Sequence, residues 1–363
     1  VIDSVQHHIK QLQAGFLVVA PKTGAVNVWI GGIDHRYFQF DHVSQGKRQV
    51  GSTFKPIVYA TALEHGVKPC DYFPARAVTY ANMEGWTPTN SEDEDFVHKN
   101  YSMKAALTKS LNTVSVKILE ETGIENVLAL AKALQIKSDL PEVPALALGA
   151  GEVGMLEMAG AYASFVNNQK PVKPYFISKI TDREGNVLAT FEPETFEAAY
   201  SDETGALMLE MMKGVVNEGT ASRLRWKYGL KNDIAGKTGT TQANKDGWFV
   251  GITPTLVAVS WVGADDGRIS FKDTNIGQGA NSALPIFGLF MQKINADKSL
   301  SKVTQAHFPP PSKSVLRQLD CKDEKEDGFI KKLFTNEEKA KTKDFGEKKE
   351  GFFDKIKKAF KKN

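Results

Sequence analysis

Cysteine is scarce in this chain: Cys70 and Cys321 are the only two among 363 residues. That excludes a small fold held by several disulfides and any cysteine-rich zinc module. Cys70 falls among core-forming segments and Cys321 at the start of a charged terminal stretch, which favours two unpaired thiols over a bridge. The seven histidines are scattered, and His7-His8 is an adjacent pair rather than a ligand pair one helical turn apart. No H-E-x-x-H string occurs, so neither a metal site nor a cofactor is expected. Charge of one sign is also lacking. A net charge of +3, with no basic-aromatic cluster inside the core-forming part, gives no reason to expect nucleic acid. No apolar run reaches the ~18 residues a membrane span needs, and no secretory leader follows Val1. The chain is therefore expected to be a fragment that begins just ahead of its first strand. With 41% hydrophobic and 25% charged residues, the composition is that of an ordinary globular enzyme.

Three short strings stand out in this setting: Ser52-Thr53-Phe54-Lys55, Ser110-Leu111-Asn112 and Lys237-Thr238-Gly239-Thr240-Thr241. Residues three apart on a helix share a face, with Cβ atoms about 5–6 Å apart, so the Lys55 amine can stand beside the Ser52 hydroxyl. A serine becomes a nucleophile when a neighbour takes its proton, and a lysine does this only when its pKa is lowered. Burial lowers it, and so does a second positive charge, for which Lys237 is the candidate. Ser110 can relay a proton toward a leaving amine, and Asn112 can hold a substrate amide. Lys237, Thr238 and Thr240 can grip a terminal carboxylate through charge-assisted hydrogen bonds. The backbone N–H groups of Ser52 and Thr240 are the candidate oxyanion donors, each worth about 3 kcal/mol of barrier. The set describes acylation of a serine by a peptide-like substrate that ends in a carboxylate.

Singly, each string is weak. Ser44-Gln45-Gly46-Lys47 and Ser299-Leu300-Ser301-Lys302 repeat the first pattern, and Lys22-Thr23-Gly24 repeats part of the third. Ser44 lies in a polar run and Ser299 in a lysine- and serine-rich stretch near prolines. Lys22-Thr23-Gly24 joins two apolar runs as a hairpin turn would. Only Ser52 opens an apolar helical pattern, carried by Phe54, Ile57, Val58, Ala60 and Leu63, with Pro56 in the first turn where its missing N–H costs least.

The surrounding residues resemble a known family. The S-x-x-K, S-x-N and K-T-G order is that of penicillin-binding proteins and class A β-lactamases. Arg48-Gln49-Val50-Gly51-Ser52-Thr53-Phe54-Lys55-Pro56 looks like the nucleophile segment of class A penicillin-binding proteins. Similar in the same way are Ala105 to Asn112, Gly236 to Gln242, Asp246 to Gly251, Ala147-Leu148-Gly149 with Tyr162-Ala163, and Trp261 to Asp266. The resemblance runs from about Ala14 to Ile294. It implies a D,D-transpeptidase that cross-links peptidoglycan stem peptides and is acylated by β-lactams. It also implies a cell-envelope protein on the outer side of the cytoplasmic membrane, whose relatives carry an upstream membrane helix and a glycosyltransferase domain. Two departures lie upstream of Ser52. Phe40-Asp41-His42-Val43 stands where Phe-Asn-Arg-Ala is frequent, and Val50 stands where proline is usual. Glu92 to His98 has the look of a glycosyltransferase acid motif, but its histidine is one position early; it reads as a solvated acidic loop.

Apolar periodicity predicts a hairpin near Gly15 to Gly32. Helices are expected at Ser52, around Ser110, and near Val127–Leu134, Leu156–Val166, Thr204–Val216 and Ala283–Ile294. The strand bearing Lys237 and a hairpin from Trp248 to Val262 complete the pattern. Strands at both ends with helices between predict an α/β fold of the penicillin-recognising serine transferase type. Its antiparallel sheet comes from both chain ends, is flanked by helices, and carries an inserted helical subdomain. Residues 1–311 are assigned to that domain. Residues 312–363, rich in lysine and acidic groups, are assigned to a largely disordered tail. Within it, Glu350 to Phe360 can form a basic amphipathic helix of the kind that lies on anionic membrane.

Two other functions share the scaffold. A hydrolase, either a D,D-carboxypeptidase or a β-lactamase, is one. A β-lactamase of class A type wants a glutamate that activates water, and Glu121-Thr122-Gly123-Ile124-Glu125-Asn126 lacks the Glu-x-x-Leu-Asn spacing. The other is a β-lactam sensor acylated without turnover.

Overall fold

The structure, a computed structural model, describes residues 10–91, 98–322, 324–328 and 341–346. β1 (Leu12–Val19) and β2 (Val26–Ile30) form the first hairpin across Lys22-Thr23-Gly24. Far along the chain follow β3 (Ala235–Thr240), β4 (Asp246–Ile252) and β5 (Val257–Ala264). They join into one antiparallel sheet of order β3-β4-β5-β1-β2, so the two ends of the chain meet where β5 pairs with β1. The expected α/β architecture is the one observed.

Register decides what each sheet face meets. Gly15 lies opposite Trp261, and Trp261 opposite Trp248, so these three share a face. A Cβ on Gly15 would come 2.7 Å from Met155 Sδ, which puts α4 (Met155–Ala163) on that side. Phe16, Ser260 and Phe249 share the other face. There Phe16 and Phe249 meet Phe290 and Phe287 of α6 (Leu284–Ala296), with ring centroids 5.1 and 5.2 Å apart. With both faces covered, β4 and β5 are buried throughout. Their sequences accordingly read as continuous apolar runs rather than alternating ones.

The helical part is inserted between β2 and β3. At its centre α1 (Lys55–Glu64) is buried from Lys55 to Ala62. Against it pack α3 (Asn112–Thr122) and α5 (Asp202–Asn217), and α2 (Met103–Thr108) packs on those two. None of the helices among the described residues is long and apolar enough to cross a membrane.

Two expectations are corrected beyond the sheet. Cys70 and Cys321 form a disulfide with Cα atoms 5.1 Å apart, across 251 positions of sequence. Chain separation said nothing about distance in space. The described part of the stretch from residue 312, expected to be disordered, is also fastened to the body. A short helix spans Lys313–Gln318, Lys325–Glu326 pairs with Lys99–Ser102, and Lys341–Lys343 adds in parallel to Val78–Tyr80. Lys343 reaches Glu120 at 2.5 Å and the Phe345 ring packs edge-on to Tyr80. Backbone pairing recruits this polar segment, and hydropathy carries no trace of such pairing. The amphipathic segment Glu350 to Phe360 and the acidic loop at 92–97 lie outside the described residues.

Candidate active site

Ser52 lies on a single 3-10 turn, Gly51–Phe54, that runs directly into α1 at Lys55. In a 3-10 turn, residues three apart eclipse one another. The turn's hydrogen bond runs from the Lys55 N–H to the Ser52 carbonyl, so the two residues stack at one spot. The turn is buttressed from three sides. Tyr162 donates to the Thr53 carbonyl at 2.5 Å, Trp248 Nε1 donates to the Gln49 carbonyl at 2.8 Å, and Gly51 N–H donates to the Gly149 carbonyl at 3.1 Å.

Lys55 is fully buried, and its Nζ donates to the Ser110 carbonyl and to Asn112 Oδ1, both at 2.7 Å. It also lies 3.4 Å from Ser110 Oγ. Burial, and then the neighbouring Lys237 charge, hold its pKa well below the ordinary lysine range. Lys237 is equally buried; burial pushes its pKa down to about 7, and its Nζ donates to Ser110 Oγ at 2.8 Å. Ser110 sits between α2 and α3 with a left-handed φ of 59°. An L-residue held there stores strain of order 1–3 kcal/mol, a cost found mostly where function requires it. Here the strained backbone aims one hydroxyl between two amines. The Ser52 hydroxyl itself makes no hydrogen bond among the described residues, since Lys55 rests on Ser110 and Asn112 instead.

The strand side closes the site. A Cβ on Gly239 would lie 2.7 Å from the Val50 carbonyl and 2.8 Å from the Thr53 methyl. Glycine is what lets β3 lie flush against the nucleophile turn. Thr238 Oγ1 pairs with Thr220 Oγ1 at 2.7 Å, and Thr240 Oγ1 accepts the Gly279 N–H at 3.1 Å. Thr241 lines the cleft, but its hydroxyl is engaged in the β3–β4 turn, where it accepts the Asp246 N–H at 2.9 Å. Two depressions meet at Ser52. One, of about 640 Å³, is walled by Trp86, Asn90, Asn112 and Thr240; the other, of about 210 Å³, by Ser110, Thr220, Arg223 and Thr238.

All nine residues singled out from the sequence are thus near one cleft: Ser52, Lys55, Ser110, Asn112, Lys237, Thr238, Gly239, Thr240 and Thr241. The look-alike strings are elsewhere. Lys22-Thr23-Gly24 is the β1–β2 turn, Ser44 is tied to Asp41, and Ser299 is tied to Asp297. His42, one of the departures, is buried with its ring stacked on Trp261 and Nε2 3.1 Å from Asp265; it lines neither depression. No group of three or more metal-ligating side chains occurs among the described residues. Sequence reasoning missed Asn90, Thr220 and Arg223. None belongs to a spaced pattern, and only the folded chain brings them to the cleft.

A serine at a groove between sheet and helical subdomain, backed by two buried amines, defines an active-serine acyl-transfer domain. The chain belongs to the family of the penicillin binding protein transpeptidase domain, which matches residues 14–268. It is 35% identical over 318 residues to penicillin-binding protein 1A of Aquifex aeolicus, covering 87% of this chain and 42% of that one. A like relation, 35% over 292 residues, holds to penicillin-binding protein 1A of Neisseria lactamica, covering 77% and 36%. The chain therefore spans about two fifths of the length of these relatives. Among solved structures, penicillin-binding protein 1A from Haemophilus influenzae superposes with a TM-score of 0.74 at 26% identity, over 83% of this chain and 49% of that one. PonA1 from Mycobacterium tuberculosis, solved in complex with penicillin V, shares the fold with a TM-score of 0.67 at 24% identity, over 86% and 85%.

Proposed function

We propose that this domain is a D,D-transpeptidase that cross-links peptidoglycan stem peptides through an acyl-enzyme on Ser52, and that β-lactams acylate the same serine. The observation that carries the reading is the convergence of two buried lysines on the Ser110 hydroxyl beside Ser52. Neutral Lys55 takes the Ser52 proton as Oγ attacks the carbonyl of the penultimate D-alanine. The developing oxyanion is met by the N–H groups of Ser52 and Thr240. Ser110, between Lys55 and Lys237, passes a proton to the departing amine as the C–N bond breaks. Lys237, Thr238 and Thr240 hold the terminal carboxylate, with Arg223 adding positive charge at the same end. An acceptor amine then attacks the acyl carbonyl, and Ser52 recovers its proton as its ester bond breaks. In a β-lactam the ring amide takes the place of the scissile bond. The reaction uses no cofactor.

Residues 1–311 carry this reaction and residues 312–363 form an appended tail. The working site is the outer face of the cytoplasmic membrane, in the cell envelope. The Cys70–Cys321 disulfide supports this, because such bonds persist in oxidising compartments. Anchoring through a segment ahead of this chain, and contact of the basic tail with anionic lipid, belong to the same reading. The lipid contact is abandoned if deletion from Gly328 onward leaves vesicle binding unchanged.

The test is to label the protein with a fluorescent penicillin and follow the label over hours. A stable label, together with dimers formed from a stem-peptide donor and an amine acceptor, is the expected result. Prompt loss of label identifies a hydrolase instead. Stable label without dimers identifies a sensor.

A further inference from the structure

The first turn of α3 carries Asn112, yet the residue in the N-cap position is Leu111, whose side chain accepts nothing. The leading N–H groups of a helix have no partner within it and need one elsewhere. They find it 22 positions upstream. Asn90 Oδ1 accepts the Asn112 N–H at 2.8 Å and the Thr113 N–H at 3.2 Å. Asn90 Nδ2 donates to Thr113 Oγ1 at 3.2 Å, and that hydroxyl donates in turn to the Ala75 carbonyl at 2.7 Å. The neighbouring Thr89 carbonyl accepts Asn112 Nδ2 at 2.8 Å. With its amide nitrogen so engaged, Asn112 turns Oδ1 to Lys55 Nζ, which donates to it at 2.7 Å. One loop residue therefore fixes the backbone of Asn112, and Asn112 supplies one of the two close acceptors that aim Lys55.

We propose that Asn90 is a positioning residue for acylation, acting on Lys55 through Asn112. It walls the cleft but makes no hydrogen bond to Ser52 or to the Lys55 amine among the described residues. Removing its oxygen leaves two part-buried N–H groups without their acceptor and lets the start of α3 drift, and Lys55 Nζ moves with its acceptor. Displacement of a reacting group by about 1 Å can cost 100-fold in rate. The inference rests on the reading of Lys55 as base, so the experiment includes Lys55→Ala.

Acylation by a chromogenic cephalosporin is followed by stopped flow, which separates the dissociation constant of the first complex from the acylation rate constant. Thermal midpoints are taken for every variant. Asn90→Ala is expected to lower the rate constant about 10- to 100-fold while the dissociation constant moves less than about threefold. Asn90→Asp keeps an oxygen for both N–H groups. At alkaline pH, where its added charge no longer holds the proton on Lys55, it is expected to restore most of the rate. Asn90→Gln keeps the amide but displaces the oxygen, and it is expected to be slow; it decides the matter should Asn90→Ala fail to fold. A purely structural role would lower the thermal midpoint and leave the rate constant of the folded protein alone, which overturns the proposal. So does an Asn90→Asp variant as slow as Asn90→Ala, or an Asn90→Gln variant as fast as the parent. If Lys55→Ala itself acylates normally, the base assignment falls and takes this inference with it. A slow Lys55→Ala beside a normal Asn90→Ala removes the inference alone.

Discussion

Lys237 and Ser110 are 127 positions apart in the chain, and the Lys237 ammonium donates to the Ser110 hydroxyl across 2.8 Å. That bond ties the sheet to the helical subdomain at the floor of the cleft. It also fixes where protons can go, because Lys55 approaches the same hydroxyl from the other side. Two amines buried this close cannot both stay charged cheaply, so they titrate as a pair.

The first prediction is a pH dependence. Lys55 must be neutral to take the Ser52 proton, so acylation rises with pH as the pair gives up its first proton. Lys237 must be charged to hold a carboxylate, and its pKa of about 7 means that grip weakens as pH climbs beyond neutrality. Acylation by a carboxylate-bearing β-lactam is expected to peak near neutrality. Masking the carboxylate as an ester is expected to remove the alkaline fall. An alkaline limb unchanged by the ester assigns it to another group.

The same shift has a stability consequence. Burial lowers the Lys237 pKa in the folded protein, so between about 7 and 10.5 the unfolded chain binds the extra proton. Stability from this group therefore rises with pH through that window and is lost as pH falls toward 7, at about 1.4 kcal/mol per pH unit at most. Lys237→Met is expected to raise the thermal midpoint at mildly acidic pH more than at alkaline pH, while slowing acylation. Equal shifts at both pH values would contradict the assignment.

Much of this site is readable in the residues alone. Phe54, Ile57, Val58 and Ala60 after Ser52 announce a buried helix by their spacing. The apolar runs around Trp248 and Trp261 announce the two strands of a hairpin. Such signals are local, and periodicity carries them. What stayed hidden depends on distance in space. Asn90 gives no hint of capping a helix that starts 22 residues later. Cys70 gives no hint of Cys321. Lys341–Lys343 is too polar and too short to look like a strand, and becomes one only because Val78–Tyr80 offers an edge. The resting contacts of Lys55 were hidden for the same reason. Spacing places its amine beside Ser52, whereas Ser110, between α2 and α3, and Asn112, at the start of α3, hold it.

Roles within the nucleophile turn separate by substitution. Ser52→Ala is expected to give no adduct by intact mass after benzylpenicillin. Lys55→Ala is expected to keep the serine but slow acylation beyond the 10²–10⁴-fold typical of a lost general base, since it also leaves Ser110 with one amine instead of two. A labelled Ser52→Ala protein would place the nucleophile elsewhere.

Gly239 tests whether the strand must lie flush with the turn. Its missing Cβ is what allows approach to the Val50 carbonyl and the Thr53 methyl. Gly239→Ala is expected to push β3 outward, costing about 1–3 kcal/mol in stability as overpacking does. Because Lys237 and Thr240 ride on that strand, acylation is expected to fall about 100-fold. A variant destabilised by that amount yet acylating normally would show that the cleft tolerates the shift.

The disulfide allows stability and chemistry to be pulled apart. Cys70 and Cys321 close a loop of 251 positions, and such a loop restricts the unfolded chain strongly, by up to about 5 kcal/mol on the chain-entropy account. Neither cysteine lines the depressions that meet at Ser52. The stretch after Cys321 is held by its own contacts as well, among them Lys343 with Glu120 and Phe345 with Tyr80. Replacing both cysteines by serine is thus expected to lower the thermal midpoint by several degrees while the acylation rate at room temperature stays within about twofold. Limited proteolysis is expected to release the C-terminal stretch faster from the serine variant than from the parent. An acylation rate that falls together with the midpoint would mean that the fastened tail reaches the cleft, through Tyr80 and the Trp86 ring stacked on it.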